Sequence, residues 1–191
     1  TSVGCAMNVY DFDKTIYKGD STADFYLFCL SRHRRVWRYV PNAVWGAVRH
    51  YVLRNCSKTE FKEQMYTFLR AADYQTDVPA FWDGHVHKIQ SWYKAQQRPD
   101  DVVISASPRF LLEPVCARLG IRFLIASEVD GKTGVYTGKN CHGSEKARRF
   151  HAVFPNGKIE RFYSDSQSDR PLALLARQGF LVRRGKIIPW Q

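Results

Sequence analysis

Two aspartates, Asp11 and Asp13, stand one residue apart at the end of the apolar run "NVYDF" (8–12). Like charges that close repel each other, so a bound cation is the first candidate to hold them together. Residues i and i+2 of a strand share a face. As the strand ends, both carboxylates can turn toward one site while Phe12 points into the core. One carboxylate can bind a metal and still present its free oxygen as a nucleophile. The other can protonate a leaving group and later activate water. Thr15 can close the turn by hydrogen-bonding backbone. The bland alternative is a pair of turn-forming aspartates, and "DFDKT" alone does not exclude it.

The ends of two other apolar runs add to this. "DVVIS" (101–105) leads into "ISASP", which leaves Ser105 at its end with the Ala106 backbone N–H beside it. A hydroxyl and an amide are suitable donors to phosphate oxygens. "ERFYS" (160–164) leads into "YSDSQSD", which supplies Asp165 and Asp169. Mg²⁺ prefers oxygen ligands, usually one or two carboxylates plus water and phosphate. Lys146, in "GSEK", starts a helix before that run, where an ammonium offsets the charge of carboxylates and phosphate. Each feature has a plain reading too: a helix N-cap for Ser105 or Ser107, a turn for Asp165, a surface charge for Lys146. Their joint appearance, in this order, favours a site.

The elements that must position these residues follow from the pattern. With "RFLIA" (122–126) and "GFLVR" (179–183) there are five short apolar runs that read as buried parallel strands. Helix-like segments at 108–120, 143–154 and 169–179 lie between the later runs. The expected fold class is α/β, a Rossmann-like doubly wound parallel sheet whose site lies outside the carboxyl ends of the strands. Nearly 90 residues separate the first two runs, too many for a crossover, and they read as an inserted helical cap subdomain. The expected division is a core of residues 7–16 and 100–191, with a cap of 17–99. In the cap, Ser21 reads as the N-cap of 21–33, and Ser57 with Glu60 as a capping box opening 57–72. Residues 78–97 read as a third long helix broken only by Gly84, and 128–140 as a β-hairpin.

Composition bounds the partners. A hydrophobic fraction of 45% in 191 residues supports a packed core. The five cysteines are odd in number, scattered and without a CxxC pair, which suits reduced thiols in a cytoplasmic protein. The opening residues do not read as a signal peptide, and Met7 directly precedes the first run, so residues 1 to 6 need not be native. Net charge is +11, and residues 31 to 70 hold nine Lys or Arg against two Glu. Such a field attracts phosphorylated substrates, anionic lipid surfaces or nucleic acid, unless it is a plain solvated face. "GKT" (131–133) is no P-loop, because Ala126 occupies the required first Gly and no helix follows. "HVH" (85–87) and His142 read as surface histidines of the cap.

Together, "DFDKT", "ISASP", "GSEK" and "YSDSQSD" resemble the four motifs of the haloacid dehalogenase superfamily of phosphatases, over residues 9 to 169. The insertion resembles the class I cap of the subgroup containing phosphoserine phosphatase. The resemblance implies Asp11 as nucleophile and Asp13 as general acid/base. It implies Mg²⁺ held by the Asp11 carboxylate, the Asp13 backbone carbonyl and Asp165. Ser105 and Lys146 would hold the phosphoryl group, and Asp169 would support the metal shell or Lys146. Asp20 stands where phosphoserine phosphatases usually carry a Glu for the substrate amine, and Met65 where they use an Arg for the carboxylate. Both departures count against phosphoserine. The last two motifs, with "LIASEVDGKTGVYTG", look closer to the subgroup containing phosphatidylglycerophosphatase C, whose members carry an apolar membrane segment in the cap. Here the corresponding "VWRYVPNAVWGAVRHYVL" is interrupted by Arg38, Pro41 and Arg49. A cap helix packed on its neighbours is expected there, with an interfacial amphipathic helix as the alternative.

The function expected is Mg²⁺-dependent hydrolysis of a phosphomonoester through an aspartyl-phosphate. The substrate would be a small phosphate ester or a phospholipid head group, and peripheral contact with an anionic membrane is a secondary expectation. The alternatives are a receiver-like module phosphorylated on Asp, and a basic module binding membrane or nucleic acid. The basic module leaves the carboxylates unexplained, so no nucleic-acid partner is expected.

Overall fold

Alternation sorts the first strand, β1 (Ala6–Tyr10), between two cores. Met7 and Val9 join one hydrophobic cluster and Tyr10 joins the other, as a period of two requires. The computed structural model describes residues 6–190, so Cys5 and most of the stretch before Met7 lie outside the described residues. β1 is central in a sheet completed by β2 (Val102–Pro108), β3 (Phe123–Ser127), β4 (Lys158–Ser164), β5 (Ala176–Arg183) and β6 (Lys186–Pro189). The order is β3-β2-β1-β4-β5-β6, parallel except for β6. This is the expected α/β class with a mostly parallel sheet and a helical insertion.

The chain moves from β1 outward to β3, then returns to lay β4 on the other side of β1. Strand order reverses there, and that is where such sheets open a crevice. Tyr10 pairs with Tyr163, and the Asp11 N–H still donates to the Tyr163 carbonyl at 2.8 Å. β1 and β4 therefore stay joined up to the point where Asp11 and Asp165 leave the sheet.

One face carries α6 (Arg109–Arg118) and two helices of the insertion, α4 (Tyr74–His85) and α5 (Ser91–Gln96). Tyr10 stacks on Tyr163 with centroids 4.9 Å apart and meets Tyr93 of α5 edge-on at 4.9 Å. Trp82 of α4 meets Phe12 and Tyr17 edge-on, and its indole N–H donates to the Leu111 carbonyl at 2.7 Å, so a large buried ring also satisfies its polar atom. The other face carries α7 (Ser144–Val153) and the short α8 (Arg170–Ala173), which contribute Phe150 and Leu172.

The rest of the insertion is α1 (Ser21–Arg32), α2 (Val40–Ala47) and α3 (Lys58–Tyr66). The capping box of α3 is present: Glu60 N–H donates to Ser57 Oγ at 3.2 Å, and Ser57 N–H to Glu60 Oε2 at 2.6 Å. The N-cap of α1 is Asp20 rather than Ser21. Its Oδ1 accepts from Ala23 N–H at 3.0 Å, and a carboxylate also suits the positive end of the helix.

Other local expectations are corrected. The helix read over 78–97 is two, because α4 passes through Gly84, gives way to a 3₁₀ turn at Val86–Lys88 and the chain is extended at Ile89 and Gln90. Pairing decides this: Gln90 N–H donates to the Ile16 carbonyl, Lys18 N–H to the Lys88 carbonyl, and Ile89 bridges Tyr17. The helix read over 169–179 shrinks to α8, since β4 captures residues from Ala176 on as β5. The hairpin at 128–140 is present but short: Val129 bridges Tyr136, Asp130 N–H donates to the Val135 carbonyl and Thr137 N–H to the Glu128 carbonyl. Its turn packs on the helical insertion, where a Cβ at Gly134 would lie 2.5 Å from the Tyr66 carbonyl oxygen. The stretch 36–53 forms a 3₁₀ turn, α2 and a π turn, with Pro41 tolerated in the first turn of α2. Among the described residues no helix is long and apolar enough to cross a membrane.

Candidate active site

The carboxyl ends of β1, β2 and β4 converge on one cleft of about 230 Å³. Asp11 and Asp13 follow β1, and Ser105 and Ala106 lie near the end of β2. Asp165 and Asp169 follow β4, and Lys146 lies in the first turn of α7. With Asp20, all eight residues singled out above line this cleft. Gly143 caps α7 with φ 60° and ψ −128°, a conformation open to glycine because it lacks Cβ, and it sets the turn that carries Lys146.

Lys146 is the electrostatic centre. Its Nζ is 3.0 Å from Asp11 Oδ1 and 2.7 Å from Asp169 Oδ2, and it is 2% exposed. Burial alone would neutralise it, but Asp11 and Asp169 overrule that and hold it firmly charged. Asp169 Oδ2 also accepts from Ser164 Oγ at 2.7 Å, so Asp169 positions Lys146 from behind. Burial pushes Asp11 up to about 7 against the pull of Lys146, with Asp169 and Asp165 adding to the rise. Asp11 Oδ1 additionally accepts from Phe12 N–H at 2.8 Å.

Asp13 is bound differently from Asp11. Its Oδ1 accepts from Ser21 N–H at 2.6 Å and its Oδ2 from Ser107 Oγ. Burial, with Asp20 nearby, pushes it up to about 6, which suits a group that gives and takes a proton near neutrality. Both Asp13 oxygens are engaged, so its contribution to a cation would come from the backbone carbonyl. Ser105 Oγ accepts from Ser107 N–H at 3.1 Å, which leaves its own hydrogen free for a ligand. The Thr15 hydroxyl does not close the turn as expected, because Oγ1 is buried without a hydrogen-bond partner. Backbone bonds do so instead, from Tyr17 N–H to the Phe12 carbonyl and from Lys14 N–H to the Gly19 carbonyl.

The residues fit a divalent cation. Asp169 Oδ1 is buried with no hydrogen-bond partner, and the ionisation of Asp165 is opposed by burial and by Asp169. A cation would relieve that crowding of carboxylates. Among the described residues no three His, Cys, Asp or Glu side chains form a ready-made cage. Two carboxylates, a carbonyl and a ligand oxygen match what Mg²⁺ accepts.

Several cleft residues were not anticipated. Lys58 and Lys62, one turn apart on α3, face it from the helical insertion. Lys62 Nζ donates to the Ala106 carbonyl at 3.0 Å, and Lys58 Nζ lies 2.9 Å from His142 Nε2. His142 is therefore a cleft residue on the loop before α7, not a cap-surface histidine. Ser107, which fixes Asp13, was visible in "SASP" only as a helix-cap candidate. Met65 does not line the cleft and packs against the hydrophobic core.

A model of the haloacid dehalogenase-like hydrolase family matches residues 9–174. No curated protein matches the chain. Among solved structures, a Bordetella pertussis protein of unknown function is similar at TM-score 0.73 and 18% identity, over 91% of this chain and 88% of that one. A phosphoserine phosphohydrolase-like protein from Francisella tularensis is similar at TM-score 0.61 and 12% identity, over 92% and 86%. A phospho-aspartyl intermediate analogue of phosphoserine phosphatase is similar at TM-score 0.52 and 13% identity, over 91% and 84%.

Proposed function

This chain belongs to the haloacid dehalogenase-like hydrolase family, and from that premise we propose that it hydrolyses phosphomonoesters through an aspartyl-phosphate on Asp11. The observation that carries the reading is the Lys146 ammonium between Asp11 and Asp169, in the cleft where Ser107 and Ser21 hold the Asp13 carboxyl. The likeness to a phospho-aspartyl phosphoserine phosphatase analogue supports it.

Asp11 attacks phosphorus, and the bond to the leaving oxygen breaks. Asp13 gives that oxygen its proton, then takes one from the water that attacks the aspartyl-phosphate, which releases phosphate and restores Asp11. Ser105 Oγ–H, the Ala106 N–H and Lys146 hold the phosphoryl oxygens. Mg²⁺, held by Asp11, Asp165 and the Asp13 carbonyl, would supply charge neutralisation at the phosphoryl oxygens. Asp169 orients Lys146. Residues 17–99 serve as the cap over this cleft, and Asp20 lines it while capping α1. With Met65 outside the cleft, nothing at that position receives a substrate carboxylate, which disfavours phosphoserine.

The test is steady release of phosphate from an aryl phosphate in the presence of Mg²⁺, lost in Asp11→Asn. A phosphoenzyme that forms once and turns over slowly would favour the receiver-like alternative. Peripheral contact with an anionic surface is a second reading, favoured by the exposure of Trp37 in the same 3₁₀ turn as the exposed Arg34, Arg35 and Arg38, and of Trp45, Tyr51, Val52 and Leu53 further along the insertion.

A further inference from the structure

Two of the four lysines that line the cleft, Lys58 and Lys62, stand outside the phosphoryl seat, on α3. Lys146 is matched by Asp11 and Asp169. Lys58 and Lys62 have neutral partners instead, His142 and the Ala106 carbonyl. Among the described residues neither forms an ion pair, and Asp13 and Asp20 act on Lys62 only at longer range. Burial and the Lys58 charge push Lys62 down to about 8, and the same two causes push His142 down. A cationic wall whose members destabilise one another is a wall suited to an anion.

The position of the wall says which part of the ligand it meets. The phosphoryl group already has Ser105, the Ala106 N–H and Lys146 on the core side. Lys62 comes from α3 and donates to the Ala106 carbonyl at the edge of that seat, with Asp13, Asp20 and Lys146 all in its longer-range field. Both lysines belong to the insertion, and with the core side of the cleft taken by the phosphoryl seat, the rest of the ester is left to meet them. The cleft of about 230 Å³ has room for a small ester.

We propose that the leaving group of the substrate carries a negative charge of its own, a carboxylate or a second phosphate, which Lys58 and Lys62 receive. This rests on the phosphatase reading above and narrows it to small phosphomonoesters with a second anionic group.

Three esters on one carbon chain test it: propyl phosphate, the phosphate ester of hydroxypropionate, and propanediol bisphosphate. The wild-type protein should prefer at least one charged ester over propyl phosphate in kcat/KM by about tenfold or more, as one charge-assisted hydrogen bond supplies. The preferred ester identifies the tail as carboxylate or phosphate. The double variant Lys58→Met, Lys62→Met should lower that ratio about tenfold, while Lys58→Arg should retain it. Because the ratio is taken within one variant, loss of folded protein does not affect it. Hydrolysis of propyl phosphate with no charged preference would overturn this inference and leave the phosphatase reading standing. A preference that survives the double substitution would overturn it too. No Asp11-dependent hydrolysis of any phosphate ester, the aryl phosphate included, would remove both.

Discussion

Lys146 Nζ and Asp169 Oδ2 are 2.7 Å apart, with each side chain only 2% exposed. Such a pair stabilises the fold little by itself, but removing one partner strands a buried charge, at a cost of about 3–5 kcal/mol. Lys146→Met should therefore lower stability by that order, measured by urea unfolding without metal. Adding Asp169→Asn should restore part of the loss. A double variant whose loss equals the sum of the losses of Lys146→Met and Asp169→Asn alone would show that the two groups are not coupled.

Asp11→Asn keeps the shape of the side chain and removes the nucleophile. Turnover of an aryl phosphate should vanish while the unfolding midpoint stays at or above that of the wild-type protein, since one buried carboxylate is gone. Residual activity above a few per cent of wild type would exclude Asp11 as the nucleophile.

Asp13→Asn should slow turnover by about 10²–10⁴-fold, the usual contribution of a general acid/base. Where phosphoenzyme formation limits the rate, the defect should shrink for aryl phosphates with good leaving groups, which need less protonation. A uniform defect across leaving groups would count against the acid role. Ser107→Ala should produce a milder form of the same pattern, because it frees one oxygen of Asp13.

Activity should require Mg²⁺ and be supported poorly by Ca²⁺. Ca²⁺ takes more ligands at longer distances, so Asp11 can bind it through both oxygens and lose its attacking atom. Full activity after thorough chelation would refute metal assistance.

If the exposed arginines and aromatics of residues 34–53 contact an anionic surface, the protein should bind anionic vesicles better than neutral ones. Each Lys or Arg near such a surface contributes about 1 kcal/mol, screened over a Debye length of about 10 Å at 0.1 M salt. Arg34, Arg35 and Arg38 are exposed, as are Trp37 and Tyr51 at 61% and 67%. Charge reversal at the three arginines should weaken vesicle binding in co-sedimentation. Binding that ignores both salt and the substitutions would leave this face as solvated surface.

The sequence by itself determined the carboxylates, the serine and the lysine at the strand ends, together with the strand-helix alternation that converges them. These features are local. A strand ends where its apolar run ends, and parallel strands deliver their carboxyl ends to the same edge. The capping box at Ser57 was legible for the same reason. Only the tertiary structure decided what meets across long separations. Lys58 reaches His142 across 84 residues and Lys62 reaches Ala106 across 44, while Ser107 holds Asp13 across 94. No periodicity encodes such meetings, because they depend on how the insertion packs over the sheet. The break at Ile89 and Gln90 and the early start of β5 have a related cause. Each segment had a helical pattern, and each gave it up to hydrogen-bond with backbone far away in the chain. Local propensity is worth a few tenths of a kcal/mol per residue, and satisfied backbone pairing in a buried layer outweighs it.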